Sequence, residues 1–470
     1  MKENVLEKVL SEKKGNKAEQ IRLVLCLSLP AILAQLTSIA MQYIDAGMVG
    51  NMGARATASI GLVSTTTWLV GGTCVGISAG YYVQVAQLIG AGKQKKASEV
   101  YKQSLSMVML LGLFIGLICC LISPFLPVWL KGEAEICKDA SIYFLIYGLS
   151  VPFRLLRQLC AGMLQSTGDM KTPSILSGSV CILDVIFNLF LIFPTRQVAF
   201  LGLSFAMPGF GLGVMGAALG TALADILVSI LMFLALSIKN EKLSLKNKGS
   251  WAWDKHTIIT ALKIALPMCA DQFFMCSAYV AGTFIVAPLG TISVAANSLA
   301  VTAESLCYMP GYGIGSAATA IIGQTIGAKR DDLTKSFSRV SMYLGILMMG
   351  VTAVFMFFFA PVAFSLLTND PMVAALGTKV LRFELIAEPL YGASICCAGV
   401  FRGAGDTLMP SIMNLVSMWG VRILLAAILV PHLGLLGYWV AMATELCFRG
   451  IIFMIRLYNG KWMKKSLVKE

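Results

Sequence analysis

Apolar runs of about 20 residues recur along most of this chain, each long enough to cross a bilayer as a helix. In lipid, every backbone polar group must find its partner within the protein, which leaves only helices or closed barrels. The alternating pattern of a barrel strand is absent, so the sequence predicts an all-α, multi-pass membrane protein. Composition agrees: 57% of the residues are hydrophobic and 13% are charged, against roughly 25% charged in soluble domains.

Twelve spans are expected, at about 22–50, 56–82, 98–123, 135–158, 170–193, 213–238, 257–288, 292–320, 336–360, 372–400, 408–431 and 436–458. Pro30 lies inside the first, where a bend is expected. Basic residues fall on alternate loops: the N-terminal segment, Lys93 to Lys96, Lys171, the 239–263 region, Lys329-Arg330, and Lys461, Lys464 and Lys465. The opposite loops hold Arg55, Lys131 and Arg196. The positive-inside rule then places both termini in the cytoplasm. The net charge of +13 is read as this orientation signal, so no nucleic-acid partner is expected.

Residues 1–21 are rich in Lys and Glu, with Val5, Leu6, Val9 and Leu10 at helical spacing, which suggests an amphipathic helix on the membrane surface. No short apolar region precedes a small-residue cleavage site, so no removable signal peptide is expected. The thirteen Cys are scattered, without metal-site spacing, and His256 and His432 are the two His. A histidine metal site, a His-dependent catalytic centre and enzymatic activity are therefore not expected. The Gly-rich runs Gly71-Gly72 and Gly76 to Gly80 lack the Lys of a phosphate-binding loop, so no ATP site or other cofactor is expected.

A polar stretch, 239–256, divides the chain near its middle. It prompts a search for a repeat, and one is present at a shift of 237 residues. Pro30 maps to Pro267, Gln35 to Gln272, Gly53 to Gly290 and Gly76 to Gly313. Gln87-Leu88-Ile89-Gly90-Ala91 maps to Gln324-Thr325-Ile326-Gly327-Ala328, and Gly168-Asp169 to Gly405-Asp406. The shift then falls to 221, because the loop after the fifth span is longer by 16 residues in the first half (Gly213 maps to Gly434). Each half has six spans, so the repeats are parallel, a transporter design with sites at the repeat interface. The expected organisation is an N-lobe at 22–238, a cytoplasmic linker at 239–256, a C-lobe at 257–460 and a basic tail at 461–470.

The repeat also separates what the fold needs from what one lobe holds alone. Gln87 and Gln324 recur, as do Asp169 and Asp406, which argues for structural roles, the two Asp in turns or caps. Asp45, by contrast, maps to Gly282, Asp184 to Val421 and Asn188 to Leu425. With the shift of 221, Thr221 maps to Met442 and Asp225 to Leu446. Spans 1, 5 and 6 thus hold polar groups that the second half replaces by Gly or apolar residues. A carboxylate inside a membrane is costly and often marks an ion or substrate path. The alternative is a polar cluster that only ties helices together. Asp184 and Asn188 share one helix face, as do Thr221 and Asp225. Such oxygen donors suit a small hard cation or a shared proton.

Several motifs carry a family resemblance: Tyr43-Ile44-Asp45-Ala46-Gly47-Met48-Val49-Gly50, Pro310-Gly311-Tyr312-Gly313-Ile314-Gly315, Gln165-Ser166-Thr167-Gly168-Asp169 with Pro173, and Phe401-Arg402-Gly403-Ala404-Gly405-Asp406-Thr407 with Pro410. Together they resemble the multidrug and toxic compound extrusion (MATE) family of secondary transporters, from about Leu23 to Tyr458. The resemblance implies a V-shaped fold of twelve transmembrane helices in two parallel-repeat six-helix lobes. It implies export of organic, often cationic, small molecules by alternating access, coupled to inward H⁺ or Na⁺. It also implies a coupling site at Asp45, Asp184, Asn188 and Thr221, with Na⁺ as the one metal that could bind there. The family's span-5 order is Asn then Asp; here Asp184 precedes Asn188, and Asp225 is the residue that could compensate. Some members use a Glu on span 7 near the position of Met275; Asp271 lies one turn earlier.

Candidate cavity residues are Gln35, Met41, Tyr43, Asp271, Met275, Glu304 and Tyr308, with Glu304 the C-lobe candidate for contacting a cationic substrate. Glu384 is expected to pair with Arg382 or Arg422, and Glu445 with Arg449. The expected setting is the plasma (inner) membrane of a bacterium, with lipid and small organic molecules as partners and a monomeric chain. The competing reading is a flippase for lipid-linked oligosaccharides, which would need clustered Arg or Lys inside the spans. Arg154, Arg157, Arg382 and Arg422 are present, but sequence spacing alone does not cluster them.

Overall fold

The structure is a computed structural model, and it describes residues 17–200, 203–247, 249–464 and 467. The expected surface helix at 1–16 lies outside the described residues, and 17–21 form the start of span 1. The twelve rods are span 1 (Lys17–Gly50), span 2 (Ala54–Gly90), span 3 (Gln94–Ile122), span 4 (Ala134–Ser166), span 5 (Lys171–Leu191) and span 6 (Gly213–Lys239). Span 7 (Lys255–Leu289), span 8 (Thr291–Gly327), span 9 (Asp331–Leu367), span 10 (Pro371–Glu384 with Glu388–Gly403), span 11 (Leu408–Leu433) and span 12 (Leu435–Asn459) make the second half. Among the described residues, nine helices are long and apolar enough to cross a membrane, ten when the two parts of span 10 count together. Spans 8 and 12 fall short of that composition because they face protein. Span 12 buries Glu445 and Arg449, and span 8 is almost wholly buried from Ile314 to Gly327.

The two halves meet through contacts that repeat at the sequence shift. Gln87 Nε2 donates to the carbonyl of Gly403 (3.0 Å), and Gln324 Nε2 donates to that of Ser166 (2.6 Å). Moving Gln87 and Ser166 each by 237 gives Gln324 and Gly403, so the second bond is the image of the first. Gly90 packs on the backbone of Gln324 and Gly327 on that of Gln87; Gly76 meets Cys269 and Gly313 meets Ile32. Such exchange of partners is the mark of a two-fold interface. Because both halves run in the same direction, the axis lies along the helices, as the parallel repeat predicts.

Two departures from the expected pattern of unbroken helices have local causes. The 16-residue excess between spans 5 and 6 forms an antiparallel hairpin, β1 (Pro194–Phe200) and β2 (Leu203–Phe210), with Phe200 paired to Leu203. Span 10 breaks between Glu384 and Glu388 and turns through 61°. Pro389 explains the break, since it has no N–H to donate and its ring crowds the carbonyl four residues back. Span 1, in contrast, stays one unbroken helix through Pro30.

The linker folds back on the N-lobe: Lys102 Nζ donates to the carbonyls of Asn247 and Gly249, and Trp253 Nε1 donates to Ser106 Oγ. Asp254 caps span 7, accepting from the backbone N–H (3.0 Å) and hydroxyl (2.8 Å) of Thr257. These two hydrogen bonds hold its carboxyl below the usual aspartate range. Past span 12, Trp462 is buried against Phe401, and the Leu467 N–H donates to Gln87 Oε1 (2.8 Å).

Candidate functional site: a carboxylate pair beside an inter-lobe cavity

Asp45 reaches from span 1 to span 5, where Asp184 and Asn188 lie one turn apart. Asn188 Nδ2 donates to Asp45 Oδ1 (3.1 Å) and to Asp184 Oδ2 (2.9 Å). The two carboxylates are thereby held side by side on one amide, and Thr221 on span 6 lies near Asp184, its hydroxyl donating to the Ala217 carbonyl (3.2 Å). Asp184 and Asn188 are fully buried. Asn188 fits because Gly220 has no side chain; a Cβ there would lie 2.1 Å from Asn188 Oδ1. Asp184 Oδ1 and Asn188 Oδ1 have no hydrogen-bond partner among the described residues. The cluster therefore holds two acids, one shared donor amide and spare acceptors, a donor set for a proton or a small hard cation.

Asp225 lies one turn below Thr221 but is committed elsewhere. Its carboxylate holds Arg154 (2.6 Å) and Arg157 (3.0 Å) from span 4. It stands close enough to Asp184 for their charges to interact, yet it is not a member of the cluster.

Beside the cluster, a cavity of about 540 Å³ lies between the lobes, within the size range of small-molecule sites. Gln35, Asp271 and Met275 line it as expected. The other four candidates do not. Tyr43 is spent on a cross-lobe bond to the carbonyl of Thr302 (2.8 Å), and Met41 packs into the N-lobe core. Tyr308 stands behind the wall, edge-on to Tyr312 and Tyr391, which do line the cavity. Glu304 turns away toward the break in span 10. There Glu304, Glu384 and Glu388 bring carboxylate oxygens within 4.8 Å of one another, all buried. The oxygens of Glu384 and Glu388 have no hydrogen-bond partner among the described residues. These three acids could hold a hard cation or shared protons. Among the described residues Glu384 pairs with neither expected arginine: Arg382 Nε donates to the Phe357 carbonyl, and Arg422 goes to Glu445. Glu445 does pair with Arg449 (2.7 Å), and with Arg422 at the same distance.

Contrary to the sequence reading, three of the four arginines are paired up on buried carboxylates: Arg154 with Arg157 on Asp225 of another span, and Arg422 with Arg449 on Glu445, while Arg382 stands apart. Sequence reasoning also missed Arg402, Arg449 and Asn414 as cavity residues. Arg402 and Asn414 lie near Gly405-Asp406, so their places in the repeat were the available signal. Asp169 keeps its expected capping role, accepting from the N–H groups of Lys171 and Thr172, whereas Asp406 is ion-paired to Arg456.

Comparison with known proteins fits this architecture. The family pattern described as MatE matches residues 30–190 and again 267–428, two stretches offset by the repeat spacing. The chain is 25% identical over 450 residues to a probable multidrug resistance protein NorM of Thermotoga maritima, covering 94% of this chain and 93% of that one. A protein of the same description from Neisseria meningitidis serogroup B is 26% identical over 443 residues, covering 92% and 93%. In fold it is similar to a crystal structure of MATE in complex with MaD3S, with a TM-score of 0.86, 19% identity and coverage of 99% of this chain and 100% of that one. With the family pattern matched in both lobes, the chain belongs to the MatE family.

Proposed function

We propose that this chain is a cation-coupled multidrug exporter of a bacterial plasma membrane, with the basic loops and both termini on the cytoplasmic side. One observation carries the reading. Asp45 and Asp184 share one Asn188 amide, while Asp184 Oδ1 and Asn188 Oδ1 have no hydrogen-bond partner among the described residues. Two adjacent carboxylates in a low-dielectric setting favour uptake of H⁺ or Na⁺.

Span 1 joins this site to the cavity. Ala31, Ala34, Gln35 and Ser38 line the cavity, and Asp45 is ten residues beyond Gln35, roughly 15 Å along a helix. A cation between Asp45 and Asp184 removes their repulsion and draws span 1 toward span 5. That movement changes the cavity wall, so ion and cargo bind antagonistically. Linkage makes this antagonism reciprocal.

The test is Asp45→Asn, which keeps size and polarity but fixes the charge at zero. In proteoliposomes with imposed pH and Na⁺ gradients, applied separately, gradient-driven export of whichever dye the wild-type protein moves should be abolished while the variant still folds. Export at the wild-type rate, at matched protein levels, would rule out Asp45 as the coupling residue.

A further inference from the structure

Two ion clusters flank the cavity, one in each lobe, and they are built alike. In the N-lobe, Asp225 is held by Arg154 and Arg157. In the C-lobe, Glu445 is held by Arg422 and Arg449. Each is a buried acid between two guanidiniums, and so carries one positive charge in excess. From each, one arginine reaches the cavity wall: Arg157 on one side and Arg449 on the other. Arg402 of span 10 lines the same cavity, and its guanidinium has no hydrogen bond or ion pair among the described residues.

The acids facing these groups do not cancel them. Asp406 is tied to Arg456. Asp271 accepts from Asn414 (3.0 Å) and interacts at longer range with both Arg402 and Arg449, offsetting one charge. Glu304 lies within electrostatic reach of Arg422 and Arg449 but outside the cavity lining, grouped with Glu384 and Glu388. The rest of the wall is rich in side chains that can donate, among them Gln35, Gln165, Gln272 and Asn414.

We propose that the central cavity receives organic anions, compounds bearing a carboxylate or phosphate, with Arg402 as the group that meets the acid and Arg157 and Arg449 on the facing walls. Guanidiniums match those acids in planar, bidentate geometry, and an arginine with no hydrogen-bond or ion-pair partner among the described residues can make that contact. This deepens the exporter reading and rests on it, while reversing the charge of cargo that the family resemblance implies. The anion can be a free compound or the phosphate head of a lipid.

Proteoliposomes carrying the full chain decide it with three probes: carboxyfluorescein, an anion; ethidium, a cation; and NBD-labelled phosphatidic acid, followed by dithionite quenching. Carboxyfluorescein or the labelled lipid should be moved, and which one moves identifies the source. Arg402→Gln should lower the rate at least tenfold at subsaturating probe, with Arg402→Lys falling between, and Asp271→Asn should raise it. Arg157→Gln, which leaves the Arg154–Asp225 pair intact, gives a second loss should Arg402→Gln fold poorly. Ethidium export with both anions left in place overturns the proposal and leaves the exporter reading standing, as does anion movement indifferent to both arginine variants. If no probe moves, the exporter reading fails. Fluorescence anisotropy of carboxyfluorescein on the purified protein then decides the cavity: saturable binding lost in Arg402→Gln upholds it, and no saturable binding overturns it.

Discussion

Gly327→Ala tests whether the two-fold seal between the lobes controls access to the cavity. A Cβ at Gly327 would stand 1.9 Å from the Gln87 carbonyl oxygen and 2.7 Å from its carbon. To regain 3.4 Å, the edge of ordinary contact, that backbone must recede by about 1.5 Å. Backbone inside a packed helix pair cannot rotate away as a side chain can. Overpacking of this kind costs about 1–3 kcal/mol, which displaces an equilibrium between closed and open seals by about 5–150-fold. Hydrogen exchange of residues 84–92 and 321–328, read by mass spectrometry, reports the opening equilibrium directly. It should accelerate by that factor. Gly90→Ala should do the same, because its Cβ would meet the Gln324 carbonyl oxygen at 2.0 Å in the mirror contact. Gly61→Ala, a helical glycine with nothing within 4 Å, is the control and should leave exchange there unchanged. Exchange in Gly327→Ala within twofold of wild type, or opposite effects of the two seal variants, would refute the reciprocal seal.

Three further substitutions probe the sites. Gly220→Ala should push the Asn188 amide off the carboxylate pair and lower coupled export at least tenfold, while Gly213 to Lys239 stays helical by circular dichroism; unchanged coupling would show that Asn188 does not position the pair. Glu384→Gln removes one of three crowded acids and supplies an N–H to the others, so the Tm at neutral pH should rise, by the equivalent of about 1 kcal/mol; a fall would mean that the carboxylate is held by a cation. Asp254→Ala should cost about 1 kcal/mol of stability by removing the cap of span 7. Since folding lowers the Asp254 pKa, that contribution is present above the unfolded value of about 3.9 and fades as pH falls through the folded one; an equal Tm difference between the variants at pH 7 and pH 3 would contradict this.

The lobes were legible in the sequence because two-fold symmetry leaves a trace at a fixed shift. Gln87 and Gln324 make image-related bonds, so both had to be glutamine. The ion cluster was legible for the opposite reason: Asp45, Asp184 and Asn188 break the repeat, and the structure brings them together. Where sequence reasoning erred, the deciding contact lay between distant spans. Nothing local to Glu304 announces that it meets Glu384 and Glu388, because that meeting depends on a helix break set by Pro389. Asp225 reads as a third acid of the cluster until Arg154 and Arg157, about 70 residues earlier, are seen to claim it. The hairpin was hidden in a loop that the repeat marked only as longer.

On the proposed reading, the same Asp225 would link the two sites by a route separate from the movement of span 1. It sits between Asp184, whose charge it senses, and Arg157, which lines the cavity. An anion arriving at Arg157 competes with Asp225 for that guanidinium, and an Asp225 less well held is a stronger repulsive neighbour to Asp184. Cargo would then favour ion uptake through Asp225, whereas the movement of span 1 sets ion against cargo. Both effects need a two-state element to become transport. The reciprocal contacts of Gly90 and Gly327 would be that element on the proposed reading, since each packs on the backbone of the other lobe across the interface that both share. An ion that only neutralised Asp184 would alter affinity; an ion that also moves span 1 past the seal can reverse the side from which the cavity is reached. On the proposed reading, coupling would depend on Asp45 belonging to span 1, which packs against spans of both lobes, while Asp184 and Asp225 belong to spans of the N-lobe.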